Sequence, residues 1–144
     1  MPAKRARAKP QWRCPECGHR FVTPNLAHSC GRYRLAAHFA GRPRELRRAF
    51  DRLVAVAREW GPVTVYAQKT RIVLQARVRF AGVTVRNDRL DAHLWLRRRA
   101  EHPLLGRVES LGRLGHICHF SLRQAADMDA DLRDLVREAY AVNR

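Results

Sequence analysis

Two hydrophobic periods divide the chain. Leu46, Phe50, Leu53, Val54 and Trp60 form an apolar stripe at spacings of three and four, and Arg44, Arg47, Arg48, Arg52 and Arg58 fall mostly outside it. That period is the signature of a helix burying one face. Pro43 opens the segment, where a missing N–H costs nothing, and Gly61-Pro62 closes it. The pattern predicts a helix near residues 43–60, preceded by a short helix from Tyr33 to Ala40 that Gly41 ends.

From Val63 the period becomes two. In RIVLQARVRF, Ile72, Leu74, Ala76, Val78 and Phe80 share one face, while Arg71, Gln75, Arg77 and Arg79 share the other with Val73. This reads as one strand or two short ones with a wet, basic face. Further strands are predicted at Val63 to Gln68, around Val83 to Val85, at Leu90 to Arg97, Arg107 to Leu111 and His116 to Leu122. In LDAHLWLR, Leu90, Ala92, Leu94 and Leu96 point one way and Asp91, His93, Trp95 and Arg97 the other. Gly82, Asn87-Asp88, Pro103 and Gly112 to Gly115 are turn signals suited to short antiparallel connections. A second amphipathic helix closes the chain, with Met128, Leu132, Leu135, Val136 and Tyr140 as its apolar stripe. Asp127, Asp129 and Asp131 lie at its start, where carboxylates interact favourably with the helix dipole. The expected fold is α+β, a mainly antiparallel sheet packed by two amphipathic helices over residues 35–144.

The N-terminal third follows neither period. Residues 1–11 hold Lys4, Arg5, Arg7 and Lys9 among alanine and proline with nothing to bury, and are expected to be a disordered basic arm. Residues 12–34 contain WRCPECGHRFVTPNLAHSC. Cys14 and Cys17, three positions apart on a turn restricted by Pro15 and released by Gly18, can reach one metal. His28 and Cys30, one residue apart, project to the same side of an extended segment. Cys14, Cys17, His28 and Cys30 thus complete a tetrahedral set for a structural Zn2+, with Trp12 and Phe21 as shielding apolar groups. His19 and His38 are competing ligands. A redox CxxC normally opens a helix in a βαβ unit, and none precedes this one.

Charge adds a second theme. The 144-residue chain has a formal net charge of +16, carried by 26 arginines against three lysines. Segment by segment it is +7 for residues 1–34, +3 for 35–60, +7 for 61–100 and −1 for 101–144. Such a field attracts polyanions, although arginine richness is also a mark of a GC-rich genome. The candidate anion or nucleic-acid face comprises Lys69, Arg71, Arg77, Arg79, His93, Trp95 and Arg97, with His119 nearby. Guanidinium groups bind phosphate bidentately, and an aromatic ring among cations offers a stacking surface for a base. In HICHF, Cys118 shares a face with Phe120 and reads as a core residue, whereas His119 faces away. Ser121 and His119 are neighbours without a recognisable acid partner, and no catalytic motif proposes a reaction.

No apolar run approaches the roughly 18 residues of a membrane helix, and no secretory signal precedes the cysteines. The chain is expected to be cytoplasmic, with no membrane partner. WRCPECGHRF, HSC at His28 to Cys30, HFAG at His38 to Gly41, QKTRIV at Gln68 to Val73, RFAGV at Arg79 to Val83 and the closing aspartate-rich helix ending in AY together resemble a bacterial family of uncharacterised proteins, a domain of unknown function. The resemblance implies a small α+β domain behind a zinc-knuckle-like start and transfers no activity. The leading functional expectation is non-enzymatic nucleic-acid binding, to DNA or RNA. A small-anion module on the same face and a protein-interaction adaptor built on the zinc module are the alternatives.

Overall fold

The order of elements follows the change of period. In the computed structural model, which describes residues 10–16, 18–22 and 33–143, β1 (Trp12–Arg13) and β2 (Arg20–Phe21) form a small hairpin, followed by α1 (Leu35–Phe39) and α2 (Arg44–Arg58). Then come β3 (Thr64–Ala67), β4 (Ile72–Gln75), β5 (Arg79–Val85), β6 (Leu90–Leu96), β7 (Leu105–Ser110) and β8 (His116–Leu122), and α3 (Ala130–Asn143) ends the fold. β3 to β8 make a six-stranded sheet in the order β3-β4-β5-β6-β8-β7, and every described pairing is antiparallel. The fold is therefore α+β. All but Pro10 and Gln11 of the expected basic arm lies outside the described residues.

One face of this sheet carries the helices. Leu46, Phe50, Leu53 and Val54 of α2 are buried with Leu132, Leu135, Val136 and Tyr140 of α3. Beneath them lie Ile72, Leu74, Leu90, Leu94, Cys118 and Leu122, so both amphipathic stripes and the inward strand positions close one core. Pro43 stands one position earlier than expected, as the residue that caps α2 rather than its first turn. Phe39 of α1 packs on Phe50 with ring centroids 5.3 Å apart, and the Arg47 guanidinium lies 5.0 Å from the Phe39 centroid. Asp129 closes the first turn of α3 by accepting the Leu132 N–H at 2.8 Å.

The strand prediction holds in its two-strand form over RIVLQARVRF but fails on the shared face, and Gly82, read as a turn signal, lies inside β5. RIVLQARVRF is not a single strand, because residues 76–78 form the turn between β4 and β5. Ala76 and Val78 therefore do not share the inward row of Ile72 and Leu74. Leu74 faces Ala81 while Gln75 faces Arg79, which leaves Phe80 as an extra residue on β5. This bulge turns both Phe80 and Ala81 into the core. Phe80 meets Tyr140 edge-on, with centroids 5.6 Å apart.

The opposite sheet face is not uniformly wet, as the alternation had suggested. The β1–β2 hairpin sits on its β3–β4 corner, where Phe21, Tyr66 and Val73 make a second, smaller apolar cluster joined by Trp12. Gln75 is buried there and donates from Nε2 to the Arg20 carbonyl. Gln11 likewise donates to the Arg77 carbonyl, so Gln11 belongs to the docked segment rather than to a free arm. The two shielding aromatics of the N-terminal segment thus pack onto the sheet.

Candidate functional site

Beyond the hairpin, the strand period places Asp91, His93 and Trp95 of β6 opposite Ser121, His119 and Ile117 of β8 on the face away from the helices. His93 lies across β5 at Gly82, its cross-strand partner, where a Cβ would collide with the imidazole. Glycine is what lets the ring lie flat on the sheet. On β7 the register shifts between Leu105 and Val108, and Arg107 and Glu109 both reach His119.

These side chains border a trough, a series of neighbouring recesses that share lining residues. Its wide end, about 720 Å³, is bordered by Arg71, Arg86, His93, Arg107, His119 and Ser121. Arg71 and His93 also border a recess of about 160 Å³ with Arg79 and Trp95. Past Arg79 and Trp95 lies a recess of about 200 Å³ with Phe21 and Arg77. Arg77 and Trp95 in turn border a further one of about 290 Å³ that reaches Arg97 and Asn143. Neighbouring recesses share arginines, so positive charge runs along the whole trough.

At the wide end the groups are arranged in pairs. Glu109 Oε1 accepts from His119 Nε2 at 2.8 Å and lies 2.7 Å from Arg107 Nη2. The His119 hydrogen bond, joined by the charge of Arg107, holds the Glu109 carboxyl below the usual carboxylate range. Asp91 accepts from Arg86 Nε at 2.8 Å and from Arg89 Nε at 2.9 Å. Partial burial works to raise its pKa, and the two arginines outweigh it to leave a net lowering. Ser121 Oγ approaches Asp91 at 3.5 Å. The His93 and His119 rings stand 5.8 Å apart at an interplanar angle of 51°. Burial, reinforced by the charges of His119 and Arg71, pushes His93 down to about 4, so its imidazole is neutral at physiological pH.

The structure gathers most of the expected anion face. Arg71, Arg77, Arg79, His93, Trp95 and Arg97 all border the trough. Lys69, exposed in the turn after β3, borders none of these recesses. Arg79 is partly engaged, its guanidinium lying 5.7 Å from the Tyr66 centroid and 5.8 Å from that of Phe21. Trp95 donates from Nε1 to the Leu114 carbonyl at 2.6 Å, which fixes its ring at the trough wall. The sequence reading missed Asp91, Arg86, Arg107 and Glu109, and with Glu109 the acid partner of His119. The alternation of β7 would have hinted at Glu109, but its pairing with β8 lies in no single segment.

Of the expected zinc ligands, Cys17, His28 and Cys30 lie outside the described residues, and Cys14 is buried in the β1–β2 turn. Gly18 donates to the Cys14 carbonyl and Cys14 to the His19 carbonyl, both at 2.8 Å. Gly18 has φ 77°, a left-handed conformation that glycine adopts without strain. The competing histidines both make contacts with the β3 end of the sheet. His19 packs on Tyr66 with centroids 4.6 Å apart, and His38 Nε2 bonds the Gln68 carbonyl at 2.8 Å. Among the described residues no helix is long and apolar enough to cross a membrane.

The family model described as a domain of unknown function, DUF5655, matches residues 35–143, which takes in α1 to α3 and the whole sheet. The match begins after the N-terminal hairpin. No curated protein and no solved structure matches the chain.

Proposed function

For this chain, which belongs to the DUF5655 family, we propose that the trough binds a single-stranded nucleic acid. The observation that carries the proposal is continuity: four neighbouring recesses share arginines across the open sheet face, from Arg86 and Arg107 to Arg77 and Arg97. A string of cations along an open groove suits a repeating phosphate backbone better than a single compact anion. Trp95, held by Leu114, offers one stacking surface along the path. Asp91 and Glu109 sit at one end, where their pairs with Arg86, Arg89 and Arg107 offset part of the positive charge.

The test is fluorescence anisotropy with a labelled single-stranded oligonucleotide. If about four arginines neutralise phosphates, affinity should fall roughly 50-fold between about 50 and 200 mM salt. Arg77→Glu, Arg79→Glu and Arg97→Glu together should abolish binding at the higher salt. A salt-independent affinity, or one the triple variant keeps, would reject the proposal.

A small anion held at the wide end is the second reading. It is favoured by the roughly 720 Å³ volume and by the gathering of Arg71, Arg86 and Arg107 around it. Thermal stabilisation by phosphate or a nucleotide, with none from the oligonucleotide, would replace the first reading by this one.

We also propose that Cys14, Cys17, His28 and Cys30 hold a structural Zn2+, in a cytoplasmic setting that keeps the thiols reduced. The residues present fit this role: the backbone bonds from Gly18 and to His19 tighten the turn that carries Cys14, and Cys14 is buried. A metal held by these side chains would supply folding free energy that so short a segment cannot obtain from burial. Purified protein should contain one zinc per chain, and Cys14→Ser with Cys17→Ser should remove it.

A further inference from the structure

We propose that the wide end of the trough is a metal-independent centre for RNA strand cleavage, with His93 and His119 as its acid–base pair. The proposal rests on the strand-binding reading above and goes beyond it by naming RNA and a reaction. Three features carry it.

The first is placement. His93 and His119 are direct cross-strand partners on β6 and β8, with ring centroids 5.8 Å apart on the trough floor. One phosphodiester lying over them is within reach of both rings. Gly82 leaves the space in which the His93 ring lies.

The second is that the two rings have unlike surroundings. Among the described residues the His93 nitrogens have no hydrogen-bond partner, which leaves the ring open to a strand lying in the trough. His119 donates from Nε2 to Glu109. That contact orients the ring and leaves its other nitrogen outside the Glu109 hydrogen bond. One imidazole is thus suited to take a proton and its neighbour to give one.

The third is the distribution of positive charge around the pair. Arg71 is exposed and close enough to act on His93 electrostatically, and Arg107 flanks His119 at 3.3 Å. Arg71 is open to the non-bridging phosphate oxygens, where charge builds up in the transition state, while Arg107 also pairs with Glu109 at 2.7 Å.

The reaction balances without a metal or a water molecule. His93 removes the proton of a ribose 2′-hydroxyl, and the resulting oxygen attacks the adjacent phosphorus. The bond from phosphorus to the 5′-oxygen of the next nucleotide breaks as that oxygen takes the proton from His119. The products are a 2′,3′-cyclic phosphate and a 5′-hydroxyl end, and solvent exchange resets the two imidazoles. DNA has no 2′-hydroxyl, so it is bound and not cut.

The experiment incubates the full chain with an end-labelled single-stranded RNA in buffer with and without added Mg2+, beside the same sequence as DNA and an RNA with one 2′-deoxy position. The expected results are cleavage of RNA to cyclic-phosphate and 5′-hydroxyl ends, no cleavage of DNA, and protection of the bond following the single deoxy position. His93→Gln and His119→Gln should each lower the cleavage rate at least about 100-fold. The far-UV circular dichroism spectra of both variants, which report that they fold, should match that of the parent. RNA that is bound but uncut overturns the cleavage proposal and leaves strand binding standing. Cleavage that requires added Mg2+, that ignores the deoxy substitution, or that both variants retain overturns it equally. Failure to bind either strand overturns both readings together.

Discussion

A neutral imidazole on the floor of a cationic trough follows first from burial, for which the missing Cβ of Gly82 makes room, and then from two charged neighbours. Gly82 lacks the Cβ that would exclude the His93 ring, and Arg71 and His119 stand where they oppose a charge on it. The consequence for stability has a definite sign. With a folded pKa of about 4 against an ordinary value of 6.5, the unfolded chain binds the proton first on acidification. The contribution of His93 is therefore complete above pH 6.5 and is lost as pH falls towards 4, by up to about 3 kcal/mol. Replacing it with glutamine removes that dependence. Urea unfolding of both proteins between pH 7 and 4.5 should show the stability of the parent, relative to His93→Gln, decreasing steadily. A constant difference would mean that the imidazole is not held neutral. The residue type and its outward parity on β6 were legible in LDAHLWLR, whereas its neutrality required knowledge of what lies across two strands.

At the level of elements, the turn over residues 76–78 and the bulge after it redistribute burial within one segment. Simple alternation treats Val78 and Phe80 as equivalent inward positions. In the fold Phe80 is 1% exposed and touches Tyr140, while Val78 is half-buried in the turn and borders the trough. Phe80→Ala should cost about 3–5 kcal/mol, the range for emptying a buried aromatic site. Val78→Ala should cost under about 1 kcal/mol, since it leaves little cavity. Chemical denaturation of the two variants checks the contrast, and comparable losses would contradict the bulge. The remaining elements were readable to within a few residues because long amphipathic stripes and clean alternation are local properties. The turn was not, because no glycine, proline or asparagine stands at Ala76, Arg77 or Val78. Besides the bond from Ala76 N to the Val78 carbonyl at 3.0 Å, it is held from elsewhere in the chain, with Val78 N donating to the Asn143 carbonyl at 3.1 Å and the Gln11 side chain on the Arg77 carbonyl.

Across the whole molecule, two apolar clusters have separate duties. The main core joins α2, α3 and the inner sheet face, while the Phe21, Tyr66 and Val73 cluster fastens the N-terminal hairpin on the outer one. Loss of the proposed zinc should therefore loosen the hairpin and spare the sheet. After chelation, limited proteolysis should accelerate within residues 10–34, and the main thermal transition should move by only a few degrees. Collapse of the whole fold would show that the two parts are not separable in this way. The hairpin also sets one wall of the trough, since Phe21 and Val22 border it beside Arg77 and Arg79. Element types, their order and the regional positive charge were determined by the sequence itself, because periodicity and charge are carried by residues close together in the chain. Which side chains form one site was decided by tertiary structure alone. The order β6-β8-β7 and the register shift on β7 set Arg107 and Glu109 against His119, and the docked hairpin covers Gln75. Cross-strand neighbours depend on how the sheet closes over its core, and a strand's own alternation specifies a face without specifying who shares it.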